Sequence, residues 1–177
     1  YLWLPEDGLR DKAREAKIPW DLWAEQGHLL TIPGPVIIPE VIARTVAEIA
    51  DTYDLVHLAY DRWRINDFQR ELDNIGAAIP MKSFGQGFKD MAPAVDKVEQ
   101  LVAERRLLHG NHPVLNMCAA GAVVQSDPAG NRKLNKAKSY SKIDGLVALA
   151  MALGAMASEE NQPSVSPWDD PDYKLSA

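Results

Sequence analysis

The segment from Ile143 to Met156 is apolar on nearly every face of a helix, interrupted only by Asp144, Gly145 and Gly154. A helix with one apolar stripe can rest on a surface, but one that is apolar all round must be covered on all sides. No membrane supplies that cover, because the longest apolar run, Leu146 to Ala157, is broken by Gly154 and is shorter than the roughly 18 residues a span needs. The chain must bury this helix within its own layers. With 177 residues, 46% of them apolar, it is long enough to build one domain around such a core.

The surrounding elements follow from local patterns. Tyr1 to Leu4 is strand-like and stopped by Pro5, and Glu6 to Lys17 favours a helix with acids near its start. Pro19-Trp20 opens a short helix that Gly27 ends, followed by an apolar stretch, His28 to Ile32, and a Pro33-Gly34-Pro35 turn. Val41, Ile42, Val46 and Ile49 recur at helical spacing after Pro39, which predicts a helix over Pro39 to Thr52. Leu55 to Tyr60 is the strongest strand and ends at Asp61. Asn66 to Ile75 reads as helix, Ala77 to Met81 as strand, Ala94 to Arg106 and His112 to Ala120 as helices, and Val123 to Gln125 as strand. A turn, Asp127-Pro128-Ala129-Gly130-Asn131, leads to the buried helix. Strands alternating with helices give an α/β layer architecture. The expected domain covers residues 1–157, with 158–177 an acidic, Pro-containing tail expected to be disordered.

The net charge of −6 argues against a nucleic-acid partner until its placement is considered. The tail accounts for −4 of it, whereas Asn131 to Lys142 holds Arg132, Lys133, Lys136, Lys138 and Lys142 with no acid. Such a patch can hold phosphates, although a solvated loop is the plain alternative. One cysteine, Cys118, excludes an intramolecular disulfide and fits a reducing compartment. No secretory signal is visible, and the chain opens on Tyr1, so it is expected to be part of a longer protein.

Several chemistries fail on motif grounds. There is no GxxxxGK[ST] loop, Gly85-Gln86-Gly87 lacks the third glycine of a dinucleotide fingerprint, and no GxSxG elbow exists. Nothing in the sequence gives Cys118 a base or an electropositive setting for thiol chemistry. His109, His112 and Cys118 lie close together but match no closed zinc pattern, so a structural histidine pair and a buried cysteine are expected. The acids say more. Asp61 stands at the carboxyl end of a strand, where open α/β sheets place their ligand sites, and its ordinary alternative is helix capping. Asp144 starts the buried helix three residues after Ser141, a spacing that also suits a capping box. An acid at a strand end, an acid at a helix start and a basic run just before it suit Mg²⁺ or Mn²⁺ beside a phosphodiester.

Five segments, taken in order, resemble the large terminase subunit of tailed phages. They are Ala59-Tyr60-Asp61-Arg62-Trp63, Gly85-Gln86-Gly87-Phe88-Lys89, His109-Gly110 with Pro113-Val114-Leu115, Asp127 to Asn131, and Lys142-Ile143-Asp144-Gly145 with Ala148-Leu149. Trp3-Leu4-Pro5-Glu6 and Pro19 to Trp23 fit as well. The resemblance implies a C-terminal nuclease domain of the RNase H-like fold, a mixed sheet flanked by helices. It implies two-metal cutting of concatemeric double-stranded viral DNA with Mg²⁺ or Mn²⁺, and Asp61 and Asp144 as catalytic metal ligands. The basic residues from Arg132 to Lys142 would line the DNA path. A packaging ATPase domain, the portal and the small terminase subunit are the implied partners, and the cytoplasm of a bacterial host the implied location. Gln86 and His109 match recurrent family positions without an assigned role.

Two departures qualify this. The family's first catalytic Asp belongs to a leading strand that this chain is expected to lack, so the fold is expected to be N-terminally incomplete with an unpaired sheet edge. Gly121 replaces an Asn that the family often carries before the Val-Val strand. A reading of a different class therefore stays open: a non-catalytic DNA-binding or assembly remnant of a split terminase. A junction resolvase would share the acids but not the Gln86, His109 and Asp127 segments.

Overall fold

The computed structural model describes residues 1–63 and 65–160. Its elements are β1 (Trp3–Pro5), α1 (Leu9–Ala16), α2 (Trp20–Glu25), β2 (Leu30–Ile32), α3 (Pro39–Thr52), β3 (Leu58–Tyr60), α4 (Ile65–Asn74), β4 (Met81–Ser83), α5 (Phe88–Ala103), α6 (Pro113–Ala120), β5 (Val124–Ser126), β6 (Arg132–Leu134) and α7 (Asp144–Glu160). The helices follow the sequence patterns closely, with two extensions. Helix α5 begins at Phe88 rather than Ala94, because Pro93 sits inside it rather than opening it. So near the N-terminus, the missing N–H leaves only the Lys89 carbonyl without its partner. Helix α7 continues past Met156 to Glu160. The tail expected to be disordered lies, from residue 161, outside the described residues.

The strands differ more. Each is three residues long, and they form three two-stranded ladders: β1 with β2 parallel, β3 with β4 parallel, and β5 with β6 antiparallel. The architecture is mixed α/β, but among the described residues one continuous mixed sheet is not formed. Ladders this small have little stability of their own and rely on helices packed against them. The strand expected over Leu55 to Tyr60 is regular only from Leu58, and the strand expected from Ala77 starts at Met81. Pro80 explains the second shift: it has no N–H to donate, yet its carbonyl accepts from Leu58 N at 2.7 Å and sets the register just after it. Strand β6 lies within the basic run and is half-buried, so that part of the run is not the solvated loop that was the plain alternative. It pairs with β5 across a turn in which Asp127 Oδ1 accepts from the backbone N–H groups of Ala129 and Asn131, each at 2.9 Å.

Helix α7 is buried over most of its circumference, but Asp144, Ala148, Ala152 and Met156 form one exposed stripe, so the cover expected on all sides is incomplete among the described residues. Ile143, Val147, Ala150, Met151 and Ala155 pack with Phe84 and with Met91, Ala94 and Val95 of α5. A smaller cluster, Leu29, Val114 and Cys118, joins α6 to β1 and α2 through Leu4 and Trp20. No helix among the described residues is long and apolar enough to cross a membrane.

His112 caps α6 by accepting from Leu115 N at 3.4 Å, and its ring meets His28 edge-on at 5.1 Å. Burial and the neighbouring His28 lower its pKa from the usual 6.5. A histidine whose folded pKa lies below its unfolded value stabilises fully above the unfolded value, and that contribution is lost as pH falls through the folded one. The Tm should therefore drop between about pH 7.5 and pH 5. His112→Asn keeps a capping acceptor and should flatten that part of the profile; an unchanged slope would remove His112 as its source.

Candidate functional site

Strands β3 and β4 run parallel with Tyr60 opposite Ser83, and Phe84 N donates to Tyr60 O at 2.8 Å. Their carboxyl ends therefore finish side by side, and the chain beyond each enters a loop at the same edge. Those loops carry Asp61 and Gln86. Gln86 Nε2 donates to Asp61 Oδ2 at 2.8 Å, and Trp63 N donates to Asp61 Oδ1 at 3.3 Å. Both carboxylate oxygens are thus held, one by a side chain and one by the backbone. Helix α4 starts only at Ile65, so the hydrogen bond to Trp63 closes a turn after the strand rather than capping a helix.

Asp144 reaches the same place from the other side. It is the first residue of α7, and the fully buried Ile143 just before it anchors that end of the helix. The preceding loop closes through Tyr140 N on Gly121 O at 2.9 Å, while Ser141 Oγ donates to the Met117 carbonyl at 3.2 Å. The Ser141 hydroxyl is thus engaged with α6, not with the start of α7 as a capping box would have it. A Cβ on Gly121 would run into Ser141 Oγ, so the glycine found at this position permits the close approach.

Asp61, Gln86, Lys136 and Asp144 line one open cleft of about 500 Å³ whose apolar wall includes Val147 and Met151. Lys136 Nζ donates to Asp144 Oδ1 at 2.7 Å, with the two side chains 45% and 62% exposed. The remaining basic residues are scattered. Arg132 of β6 pairs with Asp96 and with Glu99 Oε2 at 2.7 Å on α5, and those carboxylates raise its pKa further above the ordinary arginine value. Lys133 Nζ lies 4.7 Å from the centre of the Phe88 ring, a cation–π contact. Lys138 is exposed, and Lys142 lines a neighbouring pocket with Leu2, Trp20 and Cys118. Of the five cations, only Lys136 lines the cleft that holds both acids.

Gln86 is the residue whose role the sequence left unassigned. Its signal was positional: like Asp61, it follows closely on the end of a strand, and the parallel pairing makes those ends neighbours. His109 is exposed, His112 is engaged as a cap, and Cys118 is buried in the smaller cluster. Among the described residues no three His, Cys, Asp or Glu side chains come together as a metal-ligating group. The donor chemistry of the cleft nevertheless suits a hard divalent cation, since two carboxylates open on it and one already carries an ammonium group. Two carboxylates alone do not complete such a coordination sphere.

Acids at a parallel-strand end and at a facing helix start, with a lysine paired to the second, define an α/β domain with an open cleft that carries two carboxylates and an ammonium group. The chain belongs to the terminase large subunit, endonuclease domain family, whose model matches residues 1–160. It is 45% identical over 159 residues to the terminase large subunit of Enterobacteria phage HK97, a match covering 90% of this chain and 32% of that protein. The crystal structure of the HK97 bacteriophage large terminase is similar with a TM-score of 0.81 at 46% identity, covering 86% of this chain and 32% of that one. The chain spans about a third of the length of these relatives.

Proposed function

We propose that this chain is a metal-dependent DNA endonuclease domain of the RNase H-like type, cutting concatemeric double-stranded viral DNA during packaging in the cytoplasm of a bacterial host. The observation that carries the reading is the convergence of Asp61 and Asp144, far apart in sequence, on one cleft with Lys136 beside them. Two bound Mg²⁺ or Mn²⁺ ions would supply a nucleophilic water and stabilise the leaving oxygen. Asp61 offers a carboxylate already oriented by Gln86 and Trp63, so little reorganisation is needed at that position. Asp144 offers one whose present partner is a flexible ammonium. Remaining coordination positions are left to water, substrate phosphate and a further carboxylate outside the described residues. The packaging ATPase domain, the portal and the small terminase subunit are the proposed assembly partners, by likeness to the family.

Lys136 is assigned to the phosphate backbone near the cut, with Lys133, Lys138 and Lys142 along the path. Arg132, held by Asp96 and Glu99, is assigned to joining β6 to α5. Lys136→Met should weaken binding of duplex DNA at all sequences and reduce the salt slope by about one phosphate contact. Arg132→Met should leave that slope unchanged. Anisotropy titrations over a range of salt concentrations separate the two; equal slopes for parent and Lys136→Met would remove Lys136 from the interface.

The second reading, a non-catalytic DNA-binding or assembly piece, is favoured by the lack of a group of three metal-ligating side chains among the described residues. Digestion of supercoiled plasmid with Mn²⁺ or Mg²⁺, with an EDTA control, tests between them. Metal-dependent nicking supports the nuclease. DNA binding without cutting, persisting when the chain is extended to the full length of its relatives, supports the assembly piece.

A further inference from the structure

We infer that Gln86 is a positioning residue for the metal site, setting the orientation of the Asp61 carboxylate and thereby the affinity of the cleft for a divalent ion. The inference rests on the reading of Asp61 as a metal ligand and goes beyond it by adding a residue that touches neither metal nor DNA. Three observations support it. The Gln86 amide donates to Asp61 Oδ2 at 2.8 Å, a partly buried bond between residues 25 apart in sequence. The opposite oxygen, Oδ1, is held by Trp63 N, so the two donors together fix the plane of the carboxylate rather than one end of it. The bond also has structural support from below: Phe84, 8% exposed, packs in the main core two residues before Gln86, and its N–H is tied to the end of β3.

Carboxylates that bind metals are themselves commonly hydrogen-bonded, and losing such a supporting partner typically costs about 10–100-fold in metal affinity or activity. A side chain that only filled space would not show this, because a residue of the same volume without the donor would serve equally well. Gln86→Met preserves size and removes the donor.

The test is Mn²⁺ binding to the chain, followed by the electron paramagnetic resonance of free Mn²⁺ and by Mn²⁺-dependent shifts in Tm, with no DNA present. Gln86→Met should raise the Mn²⁺ midpoint about tenfold or more, while the variant binds duplex DNA in EDTA as the parent does. Asp61→Asn serves as the reference. If it loses Mn²⁺ binding while Gln86→Met matches the parent, the inference about Gln86 is overturned and the reading of Asp61 stands. If Asp61→Asn itself binds Mn²⁺ as the parent does, the metal reading of Asp61 falls and the role of Gln86 falls with it. Circular dichroism in metal-free buffer checks that each variant is folded. Gln86 is not part of the core, so all are expected to be.

Discussion

Asp61→Asn and Asp144→Asn should each reduce metal-dependent plasmid cutting by more than the roughly 100-fold upper range seen when only a supporting residue of a metal site is lost. The reason is charge as well as geometry. Each change keeps the side chain's shape but removes a full negative charge from a site proposed to hold divalent ions at close range, where a neutral amide oxygen is a much poorer ligand. The fold should tolerate both. At position 61 an Asn can still accept from Trp63 N, and the Gln86 amide can turn to present its oxygen to the new NH₂ group. At position 144 the side chain is 62% exposed and its partner is an exposed lysine, a setting in which substitutions usually shift stability by only about 0.5 kcal/mol. Loss of cutting with an unchanged Tm is therefore the expected pair of results. Cutting retained by either variant would remove that residue from the reacting centre, and a Tm collapse would reassign it to structure.

The parts legible in the sequence are those fixed by local chemistry. Helix α3 runs from Pro39, at a position where its missing N–H costs nothing, to Thr52, and its boundaries follow from that proline and the apolar spacing. The burial of most of α7 follows from its composition, although Ala148, Ala152 and Met156 stay exposed on one stripe, and the placing of Asp61 and Asp144 at the ends of their elements follows from where each apolar run stops or starts. What is not local was not legible. Three-residue strands carry too little pattern to reveal their partners, so the pairing of β1 with β2 and the breakup into separate ladders emerge only from the folded chain. The same limit applies to charge. A run of basic residues looks alike whether it faces phosphates or other side chains, and the acids that claim Arg132 lie 36 and 33 residues earlier on another helix. Gln86 met both difficulties at once: its partner is remote, and it is the register of a parallel pair, not its own neighbours, that brings them together.

Gly154→Val should produce the largest loss of stability of any single change considered, at about 3 kcal/mol or more, beyond the usual range for a modest overpacking. At this point α7 lies against α5 and the Phe84 ring so closely that a Cβ would sit 2.6 Å from Phe84 Cζ and 2.8 Å from Ala94 Cβ. Ala94 is 0% exposed and belongs to a helix, so it has no room to yield, and the ring is 8% exposed in the same core. Replacing a helical glycine normally gains up to about 1 kcal/mol in propensity, which is too little to offset the insertion of three carbons into closed space. For a chain of this size the change should lower Tm by about 6–12 °C. Met156→Val, on the same helix but 41% exposed, controls for the cost of a β-branched residue and should move Tm far less. The consequence should reach the cleft as well, because Phe84 stands two residues before Gln86 and α7 begins with Asp144. Below its lowered Tm, Gly154→Val should therefore show weaker Mn²⁺ binding than Met156→Val. Equal melting of the two variants would mean that the α5–α7 approach is looser than these distances, and that the site does not depend on it.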